Sequence, residues 1–277
     1  MSVISHVKQC LQQHYLMKDL GVVDEILGCK VIVNRDLDCV TIQQAQYTKE
    51  IIDKFLPTDD NITSTIPADP NLHLIQAQCA TTEEDRTFMK DKPYRQAVGS
   101  LLWLALGTRP DISYAVGQVA KFNATPGPTH WNAVLRIFRY LKYTGPMGIV
   151  YRYSSTNMDQ NLVFFKSHND EGQLGNPIIS GYSDANFARD IDTRRSTSGF
   201  IFMLAGAPIS WQSRAQATVA LSSTEAEYIA LAGAAQEAIW LLQVLREFRR
   251  LRKYKQEYGT PGSARSWSLQ DAQLPEG

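Results

Sequence analysis

The stretch SDANFARDIDTRRSTSG, residues 183–199, sets Asp184, Asp190 and Asp192 among Arg189, Arg194 and Arg195. Further along, SSTEAEY places Glu225 and Glu227 just ahead of a long, largely apolar segment. Converging carboxylates can hold a hard divalent cation such as Mg2+, which takes oxygen ligands and offsets their mutual repulsion. Two-metal phosphodiester hydrolysis usually needs three or four such groups around ions about 3.5–4 Å apart. The chemistry to be weighed is metal-dependent phosphodiester cleavage, against the plainer reading of a solvated charged loop.

The acids do not weigh equally. Asp184 ends an expected strand, IISGYSD, on which Ile178, Ser180, Tyr182 and Asp184 share a face. Asp190 and Asp192 fall in an expected turn with arginines on both sides, where local salt bridging accounts for them. Ser222-x-x-Glu225 has the spacing of a capping box, which gives Glu225 a structural task. Glu227 has none. It heads the stripe Glu227, Leu231, Ala234, Ala238, Leu241, Leu245. This stripe is expected to face the sheet, and acids are rarely buried without a partner or a metal. Asp184 and Glu227 are therefore the candidate catalytic and Mg2+-ligating pair, expected to converge at one sheet edge.

A second patch lies in PTHWNAVLRIFRYLKYTG, where Trp131, Val134, Leu135, Phe138 and Leu141 form an apolar stripe. The opposite face carries Arg136, Arg139 and Lys142, spaced by three. Clustered cations of this kind suit a nucleic-acid backbone, and they also suit a solvated helix face. Both readings stand at this point.

The elements that must position these residues are legible in outline. Residues 25–46 read as a hairpin turning at NRDLD, and YTKEIIDKF as a short helix ended by Pro57. Polar residues 57–92 read as a long loop. Helices are expected over 94–107, over 110–123 with Pro110 in the first turn, and over the Trp131 stripe. Residues 152–177 read as a linker holding one short strand, LVFF. Strands in IISGYSD, GFIFMLAGAPI, ISWQSR and ATVALS then precede a helix over 223–248. Strands followed by a helix indicate an α+β unit. The chain is basic over 246–255, and the tail 249–277 becomes rich in Gly, Pro, Ser and Gln, which predicts disorder.

Composition narrows the class. Lys plus Arg and Asp plus Glu both number 28, so a nucleic-acid partner must be argued from local patches. The 4 cysteines form no CxxC pair, as expected of free thiols in a reducing compartment. Apolar runs such as SLLWLALG fall short of the ~20 residues that span a bilayer. These features predict an intracellular, soluble chain with no membrane partner, and both ends read as cut.

These motifs also carry a family resemblance. GYSDANFARDIDTRRSTSGFIFMLAGAPISWQSRAQATVALSSTEAEYIALAGAAQEAIWL resembles the start of the ribonuclease H domain in Pol polyproteins of copia-type LTR retrotransposons. LMKDLG, YRQAVGSLLWLALGTRPDISYAVGQVAKF and HWNAVLRIFRYLKYT resemble the end of the reverse transcriptase in the same polyprotein. The resemblance runs over roughly residues 8–247. It implies a palm-end hairpin with a helical thumb or connection over 1–151 and a linker over 152–177. An incomplete ribonuclease H-like mixed sheet with one long helix would occupy 178–248, and a divergent tail 249–277.

The resemblance further implies that Asp184 and Glu227 are the first two ribonuclease H carboxylates and that Glu225 is not. It implies Mg2+, an RNA–DNA hybrid or other nucleic acid, and the rest of the Pol polyprotein as partners. The family's Tyr-x-Asp-Asp polymerase hairpin has no counterpart in this sequence. Nor do its third and fourth ribonuclease H carboxylates, of which Asp271 in LQDAQLP is only a faint echo. The expectation is a Pol fragment that is catalytically incomplete. The alternatives are completion of its sites by another subunit, a residual nucleic-acid-binding module, and a remnant without function.

Overall fold

The computed structural model describes residue 8, residues 12–152 and residues 179–258, with side chains through Glu247. The expected LVFF strand, nearly all of the linker, and Asp271 lie outside the described residues. The chain divides into two compact units, Val23–Ala238 and the pairing of Met1–Val22 with Ile239–Gly277. In the smaller unit Lys8 Nζ lies 2.7 Å from Asp19, whose Oδ1 also accepts from the Gly21 N–H at 2.9 Å.

The larger unit opens with a four-stranded antiparallel sheet in the order β1-β2-β3-β4. Its hairpin is the expected one: β2 (Cys29–Asn34) pairs with β3 (Cys39–Gln43) through Asn34↔Cys39 and Lys30↔Gln43. Asn34 Oδ1 closes the turn by accepting from the N–H groups of Asp36 and Leu37 at 3.1 and 3.0 Å. Two short strands were not foreseen. β1 (Glu25–Ile26) flanks β2, and β4 (Ile149–Arg152) returns from far along the chain to pair with β3 through Thr41↔Val150.

Helices bury the core beside this sheet. α1 (Ala45–Phe55), α3 (Tyr94–Gly107), α4 (Ser113–Ala120) and α5 (Pro128–Thr144) contribute a cluster running from Ile51 to Leu141. Every member of the Trp131 stripe is buried, and Phe138 stacks on Phe55 at 5.4 Å between ring centroids. Pro128 starts α5 and Gly145, at φ +67, ends it. The helix expected over 110–123 is a 3-10 turn, Pro110–Ile112, followed by α4.

The polar segment 57–92 is not a plain loop. It holds a 3-10 turn, Gln76–Gln78, and α2 (Glu83–Lys90), whose N-cap Thr82 accepts from the Asp85 N–H at 3.1 Å. Thr82-x-x-Asp85 is a capping signal that was present in the sequence.

The second sheet is three-stranded, β5 (Ser180–Asn186), β6 (Thr197–Leu204) and β7 (Ala207–Ala215), antiparallel throughout. The expected mixed sheet is thus antiparallel over the described residues, and ATVALS forms no strand. α6 (Ser223–Tyr258) follows and continues helical past 248, where a divergent tail was expected. The molecule is mixed α+β. Among the described residues α6 is also the helix that could cross a membrane by length and composition, with a window of mean hydropathy 1.4. Core helices of soluble proteins, which are mostly buried, meet the same criterion; 22% of this window is buried.

Candidate functional site

Strand register fixes where Asp184 points. In β5 it pairs with Gly199, which pairs in turn with Ser213 of β7. Paired residues share a face, and the next residues along form the other one: Gly181, Phe202 and Ser210. α6 covers that other face. Ser210 Oγ donates to Glu237 Oε1 at 2.7 Å. Gln216 Nε2 donates both to Ser198 Oγ and to the Ala226 carbonyl, each at 2.9 Å. Phe202 is buried there, packed so closely over Gly181 that a Cβ on that glycine would collide with its ring. Asp184 therefore sits on the face that α6 does not cover, and it is exposed.

The first turn of α6 explains the rest. Ser222 Oγ accepts from the Glu225 N–H at 3.1 Å, as the capping box requires. Glu225 reaches back one residue further than expected, accepting from the Leu221 N–H at 2.7 Å. With the start fixed, the buried stripe is Ala226, Ala230, Ala234, Ala238 and Leu241: the expected Ala234, Ala238 and Leu241 are in it, and Ala226 and Ala230 take the places expected for Glu227 and Leu231. Glu227 is exposed, and Leu231 is 53% exposed. The expectation that Glu227 heads the buried stripe is corrected: small alanines let the helix approach the sheet, and the bulkier Leu231 is left outside.

Asp184 and Glu227 are thus each in place on well-formed elements, but no described contact joins them. Among the described residues no group of three or more His, Cys, Asp or Glu side chains could hold a metal ion. The described carboxylates do not make a Mg2+ centre by themselves.

The cations of α5 have partners. Arg139 grips Asp60 with two nitrogens, Nη2 at 2.7 Å and Nε at 3.1 Å from both carboxylate oxygens. The Arg139 guanidinium, despite the cost of burial, holds the Asp60 carboxyl below its ordinary pKa. Lys142 Nζ donates to the Asp60 carbonyl at 3.0 Å, and Arg136 Nη1 lies 3.3 Å from Asp69 Oδ2. All three fasten segment 57–92 onto the helix. Sequence reasoning missed Arg109, 2% exposed, which bonds Asp111, Thr144 and the Gly145 carbonyl and so ties the end of α5 to the start of α4.

In the charged stretch that contains Asp184, the carboxylates of Asp190 and Asp192 bond groups other than the flanking arginine side chains. Asp190 Oδ1 accepts from the Thr193 N–H at 2.9 Å, and Oδ2 lies 2.7 Å from Lys121 Nζ. Asp192 accepts from the Gln76 N–H at 2.8 Å.

Comparison with known proteins finds no matching family model and no matching solved structure. Curated proteins do match. The chain is 38% identical over 245 residues to a retrovirus-related Pol polyprotein from transposon TNT 1-94 of Nicotiana tabacum. It is 32% identical over 247 residues to one from transposon RE2 of Arabidopsis thaliana. Each alignment takes in 88% of this chain but only 17% and 15% of those polyproteins. The chain is also 44% identical over 153 residues, 55% of its length, to a protein named secreted RxLR effector protein 161 of Plasmopara viticola, of which it covers 94%.

Proposed function

The chain belongs to the retrovirus-related Pol polyproteins of transposons, and we propose that it spans the end of a copia-type reverse transcriptase and the start of its ribonuclease H. The parent would copy RNA into DNA and cleave RNA in RNA–DNA hybrids with Mg2+, in an intracellular setting. Hybrid nucleic acid and the remaining Pol segments are its partners on this reading. Asp184 and Glu227 are two members of the parent's ribonuclease H carboxylate set. The 277-residue chain by itself performs neither reaction.

The observation that carries the second half of this reading is the donor arrangement. Two exposed carboxylates, of which Asp184 lies on the sheet face away from α6, cannot position the two ions that hybrid cleavage uses. The purified chain is to be given Mg2+ with a labelled RNA–DNA hybrid and, separately, with a primed RNA template. Neither cleavage nor primer extension is expected. Mg2+-dependent cleavage that disappears in Asp184→Asn, or incorporation above a protein-free control, overturns the incompleteness.

A second reading has one observation in its favour. The Plasmopara relative is matched over 94% of its length, so part of this segment stands there as a chain of its own. A residual nucleic-acid-binding module, or a remnant without a biochemical role, is the corresponding reading here. Titration of the same hybrid separates the two: the module binds it and the remnant does not.

A further inference from the structure

The charged stretch around Asp190 draws its partners from residues 69 to 119 positions away in sequence. Arg189 Nη2 donates to the Pro70 carbonyl at 2.7 Å, and Asp192 caps the 3-10 turn at Gln76. Between them Asp190 meets Lys121 at the end of α4, with side chains only 13% and 27% exposed. Lys121 Nζ is held from its other side by Gln118 Oε1 at 2.8 Å. The loop is built for this. Ala188 and Arg194 adopt positive φ, the Ala188 N–H donates to Ser196 Oγ, and the Arg194 N–H returns to the Asp190 carbonyl.

Two further anchors lie at a distance from the loop. Trp211 Nε1 of β7 donates to the Ala105 carbonyl of α3 at 2.9 Å. Beyond it, Tyr151 Oη donates to the Pro208 carbonyl at 2.7 Å and the Arg152 N–H to the Ala205 carbonyl at 3.0 Å. Residues of β7 and of the two turns that join the strands of the second sheet therefore grip the helical half or β4. All of these contacts fall within the single compact unit Val23–Ala238.

We infer that residues 187–196 are a docking clasp, and that this surface holds the second sheet to the helical half without help from the chain between them. The partner that fits the Lys121, Gln76 and Pro70 surface is thus the segment from Ser180 onward, joined to it or cut from it. Charge complementarity at Lys121 and Asp190 gives the docking its specificity, since an unpaired charge left in that setting is costly. The Trp211 and Arg152 anchors fix orientation. The inference is independent of any catalytic reading.

The test uses the full chain with a protease recognition sequence placed within 153–178. After complete cutting, seen on a denaturing gel, the two pieces are expected to co-elute at the volume of the uncut protein. Dilution then measures their affinity. Asp190→Asn, which keeps an acceptor for the Thr193 N–H but loses the charge, is expected to weaken association at least about tenfold. The exchange Lys121→Glu with Asp190→Lys is expected to restore much of it. Separation or precipitation of the cut wild-type pieces overturns the inference, and so does an Asp190→Asn affinity equal to wild type.

Discussion

Arg139 and Asp60 form the most enclosed ion pair whose geometry is described, with side chains 17% and 7% exposed. Removing the guanidinium strands a nearly buried carboxylate, and the loss exceeds what the pair contributes when intact. Arg139→Ala is expected to lower unfolding free energy by about 2–4 kcal/mol, read from denaturant midpoints at unchanged m-value. Adding Asp60→Ala is expected to recover part of that, and no recovery would contradict the pairing argument. Asp60 also sets an acid limit. Its pKa in the folded chain lies below the ordinary 3.8, first through the Arg139 hydrogen bond, so its contribution is complete above that value. The contribution is lost as pH falls through the folded pKa.

His130 titrates in a milder range. Its ring is fully buried, stacked on Phe122 at 3.9 Å, and Nδ1 accepts from the Gly127 N–H at 2.9 Å. Burial depresses its pKa below the ordinary 6.5, against the opposing influence of the Ile75 carbonyl and Asp192. The unfolded chain then binds this proton more readily than the folded one. Stability is therefore full above about 6.5 and declines as pH falls from there toward the folded value. Unfolding midpoints between pH 7.5 and 5 test this (roughly the range in which histidine titrates). His130→Gln is expected to flatten that decline, and an equally steep decline in the variant would assign it to other groups.

Among the elements, α5 begins under tight constraint. A Cβ on Gly127 would run into the Gln78 carbonyl oxygen, which is backbone and cannot swing aside. Gly127→Ala is expected to cost about 1–3 kcal/mol, as overpacking does, and a neutral result would mean that the 3-10 turn yields. How legible each element was in the sequence follows from similar local physics. The β2–β3 hairpin and α5 carried strong signals, with NRDLD at the turn, Pro128 and Gly145 at the helix ends, and a full apolar stripe. β1 and β4 are 2 and 4 residues long, too short for a period, and β4 exists because β3 offers it an edge. The α6 face differs from the expected one only in its first two turns, where burial follows Ala226 and Ala230, which fit the sheet, rather than Glu227 and the larger Leu231. At the candidate site, the strand that carries Asp184 and the capping role of Glu225 were readable locally. The partners of Arg139 and Asp190 were not, since Asp60 lies 79 positions away and Lys121 69.

For the molecule as a whole, 28 bases balance 28 acids, so any attraction to nucleic acid depends on which cations remain available. On α5, Arg136 and Arg139 face carboxylates of segment 57–92, while Lys142 is exposed and bonds only a carbonyl among its described contacts. Each phosphate neutralised on duplex DNA contributes about −0.9 to the slope of log affinity against log salt. With the two arginines engaged, a hybrid titration is expected to give a slope shallower than about −2, the value for roughly two phosphates. Lys142→Gln leaves the Arg139–Asp60 pair standing and so probes the helix face without loosening the segment. Its slope is expected to match that of the unaltered chain. A slope of about −3 or steeper that falls by about one unit in Lys142→Gln would make α5 the nucleic-acid face after all. The ion pairs with Asp60 and Asp69 would then have to open on binding, giving segment 57–92 a moving part in it.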